Sequence, residues 1–592
     1  MHVHSLRVSR GALAPALVSL VALWGGCTTP TQTRLARVAR PVLSAESRPG
    51  KRVARPRPMP LPLPRRGAIV DRRGRVLAAH AVRYNVYAVP RHVAPAGLEA
   101  LRVSLGASRG WREALRSRLA KMDERVRGMA VLVAAGLTPE NWRRARSRLR
   151  RIPGVWVRTV LSRKYPMGSV ASHVLGHVGE VSRTEMKRGY RIRDRVGRFG
   201  VERLYELTLR GLFQGRSKPL MPGRRVVLTL DVNFQRQVER ALVPHPTAAA
   251  VVVEVSTGRI LAMASRPGLD LRRLAAPLSP RSLAKLVSHP FKPFWDRSVQ
   301  SAVNPGATYL VVSALAALTS RTPMIPPKIR CTGRVSDKRR RYHCTVRHGV
   351  VSPQRALAVG CRSWFYRAAG RLGLDGLAGP ARSLGLGQKS GLGLNDEVAG
   401  FVPTAAWVKK NAKQPRAPGH LVSAAWGQGN VTVTPLQLAL VYATVANGGR
   451  LYHPQLVLRT EHTGGKSFRR FKPRLRRRIK LPASALQTLR RGLRQAVASP
   501  QGQARGARVA GVAVAGLVGS GQGDAHGYRR ANASTHAWFA GYAPAKRPQI
   551  AVVVLVQNGG SGNRVAAPIA ARIIGDYFAN KPPKKWIASS GR

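Results

Sequence analysis

Apolar and polar positions along this chain follow two rhythms, and the switches between them place its elements. Gly67 to Ala78 reads as a strand, a tight turn at Gly74 and a second strand. Val226 to Asp231 is a strand, and the apolar spacing of Asn233 to Leu242 predicts a helix. Ala250 to Val255 and Arg259 to Ala264 form a hairpin through Gly258. Near the other end, Ala537 to Tyr542 and Gln549 to Val556 are strands, followed by an Ala/Ile-rich helix from Ala566 to Phe578. Strands at both ends around a helical middle point to an α/β fold, a mixed sheet covered by helices. No unit repeats at a fixed period.

Composition narrows the class. The 592 residues allow roughly four domains. With 44% hydrophobic residues, a sizeable core forms and wholesale disorder is excluded. Four cysteines are too few for a disulfide scaffold. The 102 Lys and Arg against 24 Asp and Glu give a net charge of +78, which attracts polyanions: nucleic acid, anionic lipid or acidic wall polymers. Nucleic acid is disfavoured, because no zinc-finger or RNA-recognition spacing occurs and arginine is spread along the chain.

The first residues speak to compartment. Arg7 and Arg10 precede a nearly uncharged stretch, Ala12 to Trp24, of signal-core length and short of a bilayer span. Gly25 and Gly26 before Cys27 resemble a bacterial lipoprotein cleavage site with Cys27 as the lipidated residue; Trp24 and Pro15 fit that pattern poorly. A short membrane anchor and a simple cleaved signal stand as alternatives within residues 1–27. The expectation is an exported protein tethered to a bacterial membrane and facing the periplasm. Residues 28–64, rich in Pro and Arg, read as a linker, either a solvated spacer or one lying on anionic headgroups. Residues 580–592 read as a basic tail.

Seven short motifs occur in one order: Arg66-Gly-x-Ile-x-Asp71-Arg-x-Gly74, Tyr165-Pro-Met-Gly168, Gly200-Val-Glu202, Thr229-Leu-Asp231, Gly427-Gln-Gly429 with Thr434-Pro-Leu-Gln437, Ala446-Asn-Gly-Gly449, and His536-Ala-Trp-Phe-x-Gly-Tyr. Together they resemble the class B penicillin-binding proteins, and Cys331 to Gly349 is most similar to the elongation-type branch, penicillin-binding protein 2. The resemblance covers about residues 65 to 579. It implies a mixed α+β pedestal or dimerisation domain over 65–220 and, over 221–579, a transpeptidase domain of serine β-lactamase-like fold.

Members of that family cross-link peptidoglycan by acyl transfer through a Ser-x-x-Lys pair, one helical face presenting the hydroxyl to the lysine. Here the nucleophile position holds Ala307 and the lysine position Leu310. The second motif, Ser-x-Asn or Asp, becomes Gly360 and Arg362. The Lys-Thr-Gly strand becomes Leu517, Val518 and Gly519, and only Ser520 retains a hydroxyl. A methyl group forms no acyl-enzyme and an aliphatic chain moves no proton. Ser282-Leu-Ala-Lys285 and Lys389-Ser-Gly391 fit fragments of the motifs but lack their flanks, so they read as structural. Thr308 and Ser313 are poorly placed to replace the nucleophile.

Cys331, Cys344, His348 and Cys361 fall within a short stretch and supply three thiolates and an imidazole, a set suited to tetrahedral zinc. The resemblance supports the same four positions, since some relatives of this branch hold a structural zinc there. A Cys331 to Cys344 disulfide and unpaired thiols are the alternatives, and His343 is a second candidate imidazole.

The leading expectation is a catalytically silent homologue that scaffolds or regulates wall elongation. Its partners would be the polymerising glycosyltransferase and associated membrane proteins of the elongation machinery, with anionic lipid or wall polymers meeting the basic surface. The alternatives are an active D,D-transpeptidase with unorthodox groups, and a binding module that holds wall peptide or another anion through Arg362.

Overall fold

In a computed structural model, the structure describes residues 66–579 apart from internal stretches, the longest being 118–129, 212–220, 412–419 and 522–534. Cys27, the 28–64 linker and the 580–592 tail lie outside the described residues. The described residues fall within one compact unit.

The N-terminal part is built on β1 (Ile69–Val70), β2 (Val76–Ala88), β3 (Val131–Leu137) and β4 (Val155–Lys164), with α1 (Pro95–Leu105) and α2 (Pro139–Arg150) packed beside them. A turn at Gly74 joins β1 to β2, as the sequence expects. β2 pairs antiparallel with both β3 and β4, and Val86, Val133, Leu101 and Leu149 form a small separate core with the helices. The short helix α3 (Gly200–Leu204) carries Glu202, which is fully buried. Its carboxylate accepts from Arg66 Nε at 2.6 Å, Arg163 Nε at 2.7 Å and the Tyr165 hydroxyl at 3.2 Å. Burial would raise this carboxyl, but the charges of Arg163 and Arg66 hold it below the usual carboxylate range.

Chain beyond residue 220 adds to the same sheet. β5 (Arg225–Leu228) runs parallel to β1, so this seven-stranded sheet is mixed and crosses the expected boundary between the two domains. After α4 (Val232–Ala241), capped by the Asp231 carboxylate, comes the hairpin β6 (Ala248–Glu254) and β7 (Ile260–Arg266).

Next stands α5 (Pro280–Val287), then a 3₁₀ turn, Gly306–Tyr309, leading into α6 (Leu310–Thr319). β8 (Ile329–Cys331) and β9 (Gly349–Val351) form a small antiparallel pair ahead of α7 (Pro353–Val359) and α8 (Arg362–Ser383). α9 (Pro435–Ala446) is buried along its whole length, and Thr434 with Gln437 closes a capping box at its start. β10 (Val457–Glu461) and β11 (Ser467–Arg470) extend the mixed sheet. α10 (Ala483–Ala498) then precedes β12 (Ala515–Gly521), β13 (His536–Ala543), β14 (Ile550–Val556) and α11 (Ala567–Ala579).

The sheet expected from strands at the two ends is therefore two sheets. β12–β13–β14–β6–β7 is five-stranded and wholly antiparallel: the sequential runs β12–β13–β14 and β6–β7 join through the long-range β14–β6 pair. Every residue of β13 and β14 is buried, as a sheet covered on both faces requires. α9, α4 and α11 lie against it.

Candidate active site and thiol cluster

The edge strand β12 meets the 3₁₀ turn at backbone contact distance. A Cβ built on Gly519 would lie 2.2 Å from the Pro305 carbonyl oxygen, so only glycine fits there. The turn is held from below by the Trp538 indole N–H, which donates to the Asn304 carbonyl at 2.9 Å, and by Gly306 N–H donating to Gly427 O at 2.9 Å. The fold therefore brings the first and third motif positions together.

What stands at this junction is apolar. Ala307 is 6% exposed, and Leu310 and Leu517 are fully buried with Val518 nearly so. Ser520 is exposed, and its described contact is the Gly562 N–H donating to its Oγ at 3.5 Å. Among the described residues no imidazole, amine or carboxylate reaches that hydroxyl. Acyl transfer needs an oxygen or sulfur nucleophile with a base in hydrogen-bond reach, and these side chains provide no such pair.

The second motif is also reshaped. Gly360 ends α7 in the left-handed region, φ 66°, and a Cβ there would sit 3.0 Å from the Gln503 amide oxygen. Gln503 Nε2 donates to Leu357 O at 2.9 Å, filling the space beneath the helix end. Arg362 opens α8 with its guanidinium 5.2 Å from the Trp426 ring, and its Nη1 donates to the His343 carbonyl at 3.4 Å. Holding an anion would compete with those contacts.

The other candidate nucleophiles are structural. The Thr308 hydroxyl donates to Pro305 O and the Ser313 hydroxyl to Ala425 O, each at 2.7 Å in the core. Ser282 and Lys285 lie on the exposed helix α5. Ser390 is buried in a loop, where its N–H donates to Glu397 at 2.5 Å.

The four metal-type ligands do converge. Cys331 ends β8, Cys344 and His348 lie in the return toward β9, and Cys361 caps α8 between the two altered positions Gly360 and Arg362. Their ligand atoms all lie within 4.8 Å of one another. His348 Nδ1 is 3.6 Å from Cys331 Sγ and 3.3 Å from Cys344 Sγ. Zinc bonds of about 2.3 Å to sulfur and 2.0 Å to nitrogen give tetrahedral edges of about 3.5–3.8 Å, so the donor set fits that ion. The thiols of Cys331, Cys344 and Cys361 are free, so the expected alternative of a Cys331 to Cys344 disulfide is not formed here. His343 is exposed and is not one of the converging groups. Hydrogen bonding from Cys361 pulls the Cys344 thiol down to about 4 despite its burial, and the same contact drives Cys361 up.

Two contributors had no signal in the sequence. Gln503 comes from far along the chain, and Ser363, whose hydroxyl lies 3.4 Å from Cys331 Sγ, carries no metal-ligand spacing.

Residues 248–575 match the family described as penicillin binding protein transpeptidase domain, and residues 62–233 the penicillin-binding protein dimerisation domain. The peptidoglycan D,D-transpeptidase MrdA of Haemophilus influenzae is 29% identical over 561 residues, covering 88% of this chain and 84% of the relative. That of Acinetobacter baumannii is 30% identical, covering 86% and 80%. Among solved structures, PBP2 in complex with MreC from Helicobacter pylori has a TM-score of 0.72 at 21% identity, covering 88% of this chain and 98% of that one. A chain of a peptidoglycan synthase complex that coordinates polymerization and crosslinking has a TM-score of 0.70 at 28% identity, covering 89% and 92%.

Proposed function

The chain belongs to the penicillin-binding protein transpeptidase family, and from that premise we propose that it is a silent member, one that serves peptidoglycan assembly without forming an acyl-enzyme. Its homology is to the penicillin-binding protein 2 type. One observation carries the reading: Ala307 and Leu310, at the positions of the family's nucleophile and base, present only a methyl and a fully buried isobutyl group. Losing a serine nucleophile costs about 10⁶ in rate and losing a general base about 10² to 10⁴, and because the two act as a unit the first loss alone removes most of the chemistry. The architecture persists without the chemistry because activity resides in the site and not in the scaffold.

The role that remains is scaffold or regulator of wall elongation. The solved relatives were captured with MreC and within a peptidoglycan synthase complex, and we assign this chain the same class of partner, reached through residues 65–220. In this reading the chain is exported and tethered to a membrane, facing the periplasm. Among the described residues no helix is long and apolar enough to cross a bilayer, so the tether falls to residues 1–27. Cys331, Cys344, His348 and Cys361 would hold a structural zinc that braces the wall of the altered site.

The experiment is covalent labelling of the purified chain with a fluorescent penicillin, resolved under denaturing conditions. No labelled band is expected. An adduct located by mass spectrometry on any residue would establish an active enzyme with unorthodox groups instead.

A further inference from the structure

Helix α5 (Pro280–Val287) has no buried residue. Only Leu286 is half-buried against the body of the protein. An eight-residue helix is marginal in water alone, and helices in folded proteins owe most of their stability to packing of an apolar face. The apolar face of α5 points outward: Leu283 is 42% exposed and Val287, four residues on, 58%. Phe291 (42%) and Trp295 (41%) follow at the same four-residue step beyond the helix end.

This apolar tract is surrounded by positive charge. Arg281, Lys285 and Lys292 are all exposed, and no acidic residue occurs between Asp270 and Asp296. Its far end is firmly anchored. The Trp295 indole N–H donates to Ser301 Oγ at 3.0 Å, the Phe291 carbonyl accepts from Arg297 Nη2 at 2.9 Å, and the Pro293 carbonyl lies 2.7 Å from His173 Nε2. The exposed rings are thus presented by a fixed backbone.

Cationic side chains beside exposed Leu, Val, Phe and Trp are the composition of a segment that lies in the plane of a membrane interface. Trp is enriched at membrane–water interfaces, where its large ring sits at the headgroup level. A groove on an acidic protein would have to match this spacing of cations and apolar groups, whereas an anionic bilayer accepts it in any register. We infer that residues 280–295 form a docking surface for an anionic lipid bilayer, with Leu283, Val287, Phe291 and Trp295 entering the headgroup region and Arg281, Lys285 and Lys292 meeting lipid phosphates. This second contact with the membrane is independent of any tether at the N-terminus and of whether the chain is catalytic.

Because the whole chain is strongly cationic, the test must separate insertion from general attraction. The full-length protein is mixed at raised salt, which screens diffuse charge, with vesicles of phosphatidylglycerol and phosphatidylcholine whose acyl chains carry bromine. Bromine quenching of tryptophan fluorescence is expected, and Trp295→Phe should remove most of it. The combined replacement Leu283→Ser, Val287→Ser and Phe291→Ser leaves net charge unchanged and alters only exposed positions. It should weaken vesicle partition by at least about tenfold while the thermal unfolding midpoint stays in place. Quenching and partition unchanged in both variants would overturn the inference. So would lipid-free self-association abolished by the triple replacement, since that result gives the face to a second copy of the chain.

Discussion

Repairing the first motif should injure the protein rather than revive it. Consider Ala307→Ser together with Leu310→Lys. Leu310 is 0% exposed in the main core, so its replacement first forfeits about 1.5–3 kcal/mol of apolar burial. An ammonium held there also loses its hydration. Fully buried lysines fall by about 3–5 pK units, which at 1.36 kcal/mol each is about 4–7 kcal/mol at neutral pH, an upper estimate because the long side chain can bend toward water. That rivals the stability of a typical domain, about 5–15 kcal/mol.

The sign of the pH dependence follows. The folded lysine titrates below its ordinary 10.4, so between the two values the unfolded chain binds the extra proton. The variant should gain stability as pH rises from about 6–7 toward 10.4, and above that only the lost leucine burial should remain. Urea unfolding followed by tryptophan fluorescence across that range measures this, with Leu310→Met as the volume-conserving control, expected within about 1.5 kcal/mol of wild type. Fluorescent penicillin should label neither chain, because Gly360 and Arg362 still replace the second motif. A repaired chain that is labelled, or that matches wild-type stability at neutral pH without a pH trend, would refute the reasoning.

Three further outcomes are expected. Elemental analysis of chain purified without chelator should find one zinc per molecule; Cys361→Ser should lose it and lower the melting temperature, whereas a mass two daltons lighter with no metal would indicate a disulfide. Glu202→Gln should cost about 3–5 kcal/mol in denaturant unfolding, since it leaves the Arg163 guanidinium buried without its partner charge and Arg66 with Glu206 alone. Burial raises the Glu239 carboxyl to about 7, so its ionisation weighs on the folded state. Glu239→Gln keeps the one oxygen that accepts from both Ala171 N–H and Gln235, and should therefore gain on wild type as pH rises from 4.5 to 7, by up to roughly 3 kcal/mol, read from paired melting curves.

Much of the site was legible in the sequence because its motifs are short. The Asn304-Pro-Gly turn, the β12 strand and the Cys361 position each announce themselves within a few residues, and all reappear where expected. Gln503 beneath Gly360 was not legible, since nothing local ties a glutamine to a helix end about 140 residues earlier. The outward face of helix α5 was not legible either. Its Leu283, Leu286 and Val287 have the spacing of a core-facing stripe, and its Ser282 and Lys285 mimic a catalytic pair, yet all but Leu286 are exposed.

By itself the sequence determined which atoms are available: strand and helix periods, four metal-type ligands, and aliphatic carbon where the family carries a hydroxyl and an amine. Those are covalent facts, and no packing can add a nucleophile to Ala307. Tertiary structure decided which of these groups meet. It split the strands into a mixed and an antiparallel sheet, drew three thiols and an imidazole within 4.8 Å, and turned the apolar side of α5 to the outside. Such outcomes depend on contacts between residues far apart in the chain, about which local periodicity carries no information.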